Sequence, residues 1–494
     1  MATTQRFAFI LAALPLMASC NTRYHLAGEL DAGPLGGTGG VGLTGASGSD
    51  GGAAGAGGGG AGSGGGGAGV PGSGGAIGSG GGPWASDGGG MSDASTAGPV
   101  PLRISARDAL TRVARVLWET VPDQSLVALA DSGAVATDED VRRAALTMLA
   151  DPRARVGVAH FYRWWLDLDA VEAASKDPAI YPEYSATLGR TMAAETEAFA
   201  LDVTFDGDAR FPTLMRASYS LINDPLAKVY GVPNVTGSDL RKVDLDPTQR
   251  AGILTQPSFL TQTSASTTWT SPTRRGMFVL DKILCRTTPP PPPSATTQLP
   301  PDPTGPMTNR QRLLHSVAEA GCASCHSFMD PIGFAFETFD SIGRLRLMDS
   351  GLAIDASGSG EIDSVEVTWK NAVDLAQILA KSREAQQCMG RKWLIYALGR
   401  DLTGDVAGLD ATSVTAIGDL FVASGLDLRT AIAAAVSSAS FLDPTTGGPP
   451  CGGGLPQSCN DDLRISSLHG MCTPAGKCVC TGTYSINPAT GRCL

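Results

Sequence analysis

Residues 321–344 read GCASCHSFMDPIGFAFETFDSIGR, and the opening of that stretch decides how the rest of the chain is read. Cys322 and Cys325 stand three positions apart with His326 directly after them, the C-x-x-C-H spacing of covalent haem attachment. Two thiols at this spacing reach the two vinyl groups of one haem, and the adjacent imidazole then falls under the iron as an axial ligand. A thioredoxin-like dithiol wants a strand–helix context, which the flanks lack. Half of a zinc site wants a second ligand pair, and no nearby C-x-x-C or H-x₃-H supplies one. An amphipathic stretch, 309–320, leads into the motif.

Upstream the pattern is helical. In ARDALTRVARVLWET (106–120), Ala109, Leu110, Val113, Val116 and Leu117 fall on one face. Segments 138–149, 156–168, 188–202 and 219–230 repeat the signal, the last with Asn223-Asp224-Pro225 as a turn and cap. Sustained alternation is scarce, so the body is expected to be mainly α. The run His160-Phe161-Tyr162-Arg163-Trp164-Trp165 reads as an interhelical aromatic core rather than as a binding platform or a metal ligand. Five consecutive prolines, 289–293, extended by Pro300, Pro301, Pro303 and Pro306, read as a rigid polyproline crossover.

The N-terminus reads as an address. Arg6, the apolar run 7–17 and the small pair Ala18-Ser19 precede Cys20, as in a bacterial lipobox. A diacylglyceryl thioether on Cys20 is therefore expected, which anchors the exported protein to a bacterial membrane, at the outer membrane or cell surface. Half of the 63 glycines lie in residues 31–100. That stretch cannot bury a core and is expected to be a disordered tether, spanning roughly 45–50 Å as a flexible coil. The net charge of −11 and the lack of a basic block argue against a nucleic-acid partner. No apolar run approaches the ~18 residues of a membrane span.

The motif and its flanks together resemble a known family. His326–Glu337, Phe339–Arg344, the segment TSPTRRG (270–276) before the prolines and Tyr396-Ala397-Leu398-Gly399-Arg400 carry the resemblance, which covers about 101–445. The family is one of exported bacterial cytochrome-c-like proteins built from successive domains of unknown function (the 1595, 1592, 1588 and 1585 types) with one embedded haem motif. The resemblance implies haem and export and no defined reaction. The expected organisation is a signal peptide (1–20), the Gly-rich tether (21–100), a helical domain (101–265), a haem-binding segment with the proline crossover (266–370), a C-terminal helical subdomain (371–445) and a cysteine-rich module (451–493). That module, with C-x-C at 478–480 and Gly482, Tyr484 and Gly491, resembles an EGF-like domain. The resemblance implies Cys451–Cys472, Cys459–Cys478 and Cys480–Cys493, although fifteen pairings are possible. With Cys20 lipidated and Cys322 and Cys325 on haem, Cys285 and Cys388 remain, and they are expected to pair.

One covalent haem c is thus the expected cofactor, with His326 as its proximal ligand. The distal ligand decides the function. Met389 is the leading candidate, ahead of Met348 and His315, while Met329 is expected in the core. Arg344 and Arg346 are candidates for the haem propionates, because a guanidinium matches a carboxylate. Glu337 and Asp340 fit either a distal acid–base role or support of the loop backbone. Residues 355–366 fit a calcium loop on paper, but Ser357 and Ser359 weaken its charge, so a hairpin turn is expected and calcium is not. Three functions stay open: a surface-anchored one-electron carrier with an unknown redox partner, a haem peroxidase or oxidase with an open distal site, and a surface-polymer binding protein with an auxiliary haem. No hydrolase or transferase motif is present.

Overall fold

The computed structural model describes residues 98–264, 268–288, 305–317, 320–402 and 408–443, together with two short strands at 470–472 and 478–480. Within these ranges the side chains of 316, 320–322, 324 and the two tail strands are not described. The signal segment with Cys20, the tether, the proline run 289–304 and most of the cysteine-rich module lie outside the described residues.

The expected helices form as Ala106–Leu117, Asp138–Leu149, Ala154–Trp165 and Ala186–Leu201. Their starts follow the chain's own caps. Ser105 accepts from the Asp108 amide, and Thr137 forms a reciprocal capping box with Asp140. Segment 219–230 departs from expectation. Asn223 does cap a helix, Asp224–Tyr230, but Tyr219–Ile222 is a strand paired antiparallel with Arg241–Asp244. Four residues with alternating burial are too few to stand out as period two.

The segments expected as separate domains share one continuous core. Helix Leu428–Val436 packs on Asp138–Leu149, and Arg383–Leu398 packs on Ala154–Trp165. At the second contact Phe161 stacks on Trp393, with ring centroids 3.6 Å apart. Arg103 pairs with Asp443 at 2.8 Å, and Arg112 donates to the Phe441 carbonyl, so the first helix is tied to the last described residues of the body. The Phe161–Trp165 aromatics are thus core, and His160 beside them pairs through Nδ1 with Glu119. Cys285 and Cys388 form the expected disulfide.

Residues 355–366 include most of a hairpin, Gly358–Ile362 with Val365–Trp369. Its two-residue turn, Asp363-Ser364, is left-handed at both positions, the type I′ geometry. The Asp363 carboxylate accepts from the Arg383 and Glu384 amides and so caps helix Arg383–Leu398. Among the described residues no helix is long and apolar enough to cross a membrane. In the tail, Gly470–Cys472 pairs antiparallel with Cys478–Cys480.

Candidate functional site

The C-x-x-C-H motif lies within one helix, Ala320–Phe334, so Cys322, Cys325 and His326 occupy adjacent positions on a single turn or so. The Cys325 thiol is free and half-buried against the core. His326 is also partly exposed, and its Nδ1 bonds Asp330 Oδ2 at 2.8 Å, one helical turn on. That carboxylate raises the imidazole's pKa above its usual value. The buried Asp330 is itself held by Thr273, whose hydroxyl donates to Oδ1 at 2.7 Å. The donor set fits a covalently attached haem. A free thiol stands beside an imidazole whose Nδ1 is committed, and the remaining ring nitrogen, Nε2, is the one left for iron. The second thiol, Cys322, falls outside the described side chains.

A second helix explains the TSPTRRG segment. Helix Pro272–Phe278 is capped by Ser271 with proline in its first turn, and it packs directly on the motif helix. Two glycines permit that crossing. A Cβ on Gly333 would meet the Pro272 backbone, 2.7 Å from its Cα, and a Cβ on Gly276 would meet Met329, 2.8 Å from its carbonyl carbon. Met329 therefore packs at the crossing, in the core as expected.

Arg275, fully buried on the same helix, holds the loop that follows the motif helix. Its guanidinium donates to the carbonyls of Phe336 (2.6 Å), Phe339 (3.1 Å) and Asp340 (3.0 Å) and to Glu337 Oε1 (3.2 Å). Burial pushes its pKa down to about 10, which still leaves it charged at neutral pH. Glu337 also accepts from Thr270, Asn309 and Arg346. Its carboxylate is thus taken up by the framework. Asp340 likewise serves the loop, accepting from the Ile342 and Arg344 amides.

The two candidate propionate arginines are engaged by protein carboxylates. Arg344 bonds Asp340 Oδ2 at 2.7 Å and pairs with Glu183. Arg346 pairs with Glu337 and lies 3.7 Å from Asp349. Met389 is buried on Arg383–Leu398, a helix that packs on 154–165, 279–283, 372–381, 408–423, 428–436 and 439–442, whereas the motif helix packs on 272–278 and strand 358–362. Met348 is exposed on a short hairpin, and His315 is exposed on helix Asn309–Ser316. What sequence reasoning missed is the Thr273–Asp330–His326 chain. Its signal was the i,i+4 spacing of His326 and Asp330 inside a helix.

Three family models match in succession. They describe proteins of unknown function: DUF1592 over residues 105–232, DUF1588 over 250–349 and DUF1585 over 367–441. The middle match contains both crossing helices and the C-x-x-C-H motif. No curated protein and no solved structure matches the chain.

Proposed function

We propose that the chain, whose three matched domains of unknown function follow one another as in the cytochrome-c-like family it resembles, is an exported, surface-anchored monohaem c-type cytochrome passing single electrons to a partner protein. The observation that carries the reading is the free Cys325 beside a His326 whose Nδ1 is tied to Asp330. In this reading Cys322 and Cys325 would hold the haem through thioethers, and His326 would offer Nε2 to the iron. The haem would supply one-electron chemistry when bound. The chain's own residues fix the proximal side: Thr273 and Asp330 orient the imidazole, the glycine crossing holds the motif helix, and Arg275 pins the loop behind it. Export and the lipid anchor rest on residues 1–20, and Cys20→Ser is expected to release the protein from the membrane fraction.

A second reading, a peroxidase- or oxidase-like enzyme, is favoured by the placement of the distal candidates. Met389 is buried among helices other than the motif helix's main neighbours, and Met348 and His315 face outward. The test is a haem-stained denaturing gel of the mature protein, followed by absorption spectra of both oxidation states. Haem surviving the gel is expected, and its absence overturns both readings. A low-spin ferric spectrum supports the electron carrier. A high-spin spectrum that shifts with peroxide or cyanide replaces it with the enzyme.

A further inference from the structure

The protein places a buried carboxylate behind His326, the histidine of the C-x-x-C-H motif. Asp330 is 2 % exposed. One of its oxygens receives the Thr273 hydroxyl, and the other faces His326 Nδ1. Thr273 sits on helix Pro272–Phe278, whose position is locked by the Gly276 and Gly333 contacts. The carboxylate therefore cannot turn away without losing a partner or moving a helix. A neutral acceptor would merely orient the ring. A carboxylate also draws the Nδ1 proton toward itself and makes the other nitrogen a stronger donor to a metal.

We infer that Asp330, held in place by Thr273, is a positioning residue that gives the His326 imidazole partial anionic character and so holds the haem iron at a low reduction potential. The inference rests on the haem reading proposed for the motif. The extra electron density on the ligand favours the more positive ferric ion over the ferrous one, so the negative charge lowers the midpoint. It also gives the two readings a common proximal side, since a strongly donating ligand suits a low-potential carrier and an oxidant-activating site alike.

The test compares wild type, Asp330→Asn and Thr273→Val as mature haem-loaded proteins. Haem per chain is measured by the pyridine haemochrome, and the midpoint by spectroelectrochemical titration. Loss of an outer partner of a ligating histidine typically changes metal-centred equilibria about 10–100-fold. At 59 mV per decade for one electron, Asp330→Asn is expected to raise the midpoint by about 60–120 mV. Thr273→Val takes a hydrogen-bond donor off the carboxylate, which makes Asp330 a stronger acceptor for the Nδ1 proton, so it is expected to lower the midpoint slightly. Full haem loading with both midpoints unmoved overturns the role of Asp330 while leaving the attachment reading intact. A wild type without covalent haem overturns both. Should Asp330→Asn fail to mature, the midpoint of Thr273→Val decides alone, a downward shift supporting the inference and an unmoved or raised value overturning it.

Discussion

Gly333→Ala tests whether the motif helix is positioned by backbone contact with helix Pro272–Phe278. The new Cβ would lie 2.7 Å from Pro272 Cα, and closer still to the Pro272 carbonyl, where ordinary contact needs 3.4–4 Å. A flexible side chain could swing aside, but here the obstacle is main chain. The two helices must separate by about 1 Å, an overpacking that costs ~1–3 kcal/mol. That separation also stretches the 2.7 Å Thr273–Asp330 bond beyond hydrogen-bonding reach. Losing a bond to a buried charged group adds about 1.5–3 kcal/mol. Alanine's better helix propensity returns at most ~1 kcal/mol. The net loss is about 3 kcal/mol, or ~6 °C or more in Tm at roughly 2–4 °C per kcal/mol. Gly305→Ala is the control, because nothing lies within 4 Å of its built Cβ, and it is expected to stay within ~0.5 kcal/mol of wild type. Thermal and urea unfolding of the three proteins measure the difference. A Gly333→Ala protein as stable as the Gly305→Ala control would refute the crossing geometry.

Arg275→Met removes the donor to three loop carbonyls and leaves Glu337 with one fewer cation, so a loss of ~3–5 kcal/mol and faster proteolysis within 335–346 are expected. The Cys285→Ser, Cys388→Ser double variant opens a loop of 103 residues and should lose about 4–5 kcal/mol; alkylation of unreduced, denatured wild type followed by mass spectrometry should leave both cysteines unmodified. Glu195 is buried with one oxygen unpartnered, and burial raises its pKa to about 7. Its folded state therefore holds a proton that the unfolded chain has released, so the stability it contributes is present below about pH 4.5 and is lost as pH rises through 7. Glu195→Gln should flatten that dependence and exceed wild type by about 3 kcal/mol at pH 8; parallel stability–pH curves would refute it.

The helical body was legible because its apolar spacing and its caps agree, as at Thr137 and Ser105. The strand Tyr219–Ile222 was not, because its partner Arg241–Asp244 is mostly exposed and carries no apolar alternation. The motif itself could be recognised from three residues. The framework around it could not, since Thr273, Arg275 and Gly276 lie 53 to 65 residues before the groups they touch. In sequence TSPTRRG carries the family resemblance and no individual roles. In the fold its positions act separately. Ser271 caps, Thr273 holds Asp330, Arg275 gathers carbonyls and Gly276 admits a neighbouring backbone. The arginines at 344 and 346 show the converse failure. Charge type alone marked them as partners for a ligand carboxylate, while the fold had already supplied protein carboxylates within reach.

The division of labour among the three matched segments follows from these contacts. Residues 250–349 contain the motif helix, its crossing partner, the Arg275 clamp and the Thr273–Asp330 pair, so the surroundings of His326 are built within one segment. The first and third segments share a core with each other, through Phe161 on Trp393 and through helices 138–149 and 428–436. The Cys285–Cys388 disulfide then fastens the exit of the crossing-helix region to the third segment. A change in the outer segments should accordingly alter global stability before it alters the His326–Asp330 geometry. A change at the crossing should do both at once. Comparing unfolding midpoints with reduction midpoints across Trp393→Leu and Gly333→Ala separates these cases, because only the second variant is expected to move both.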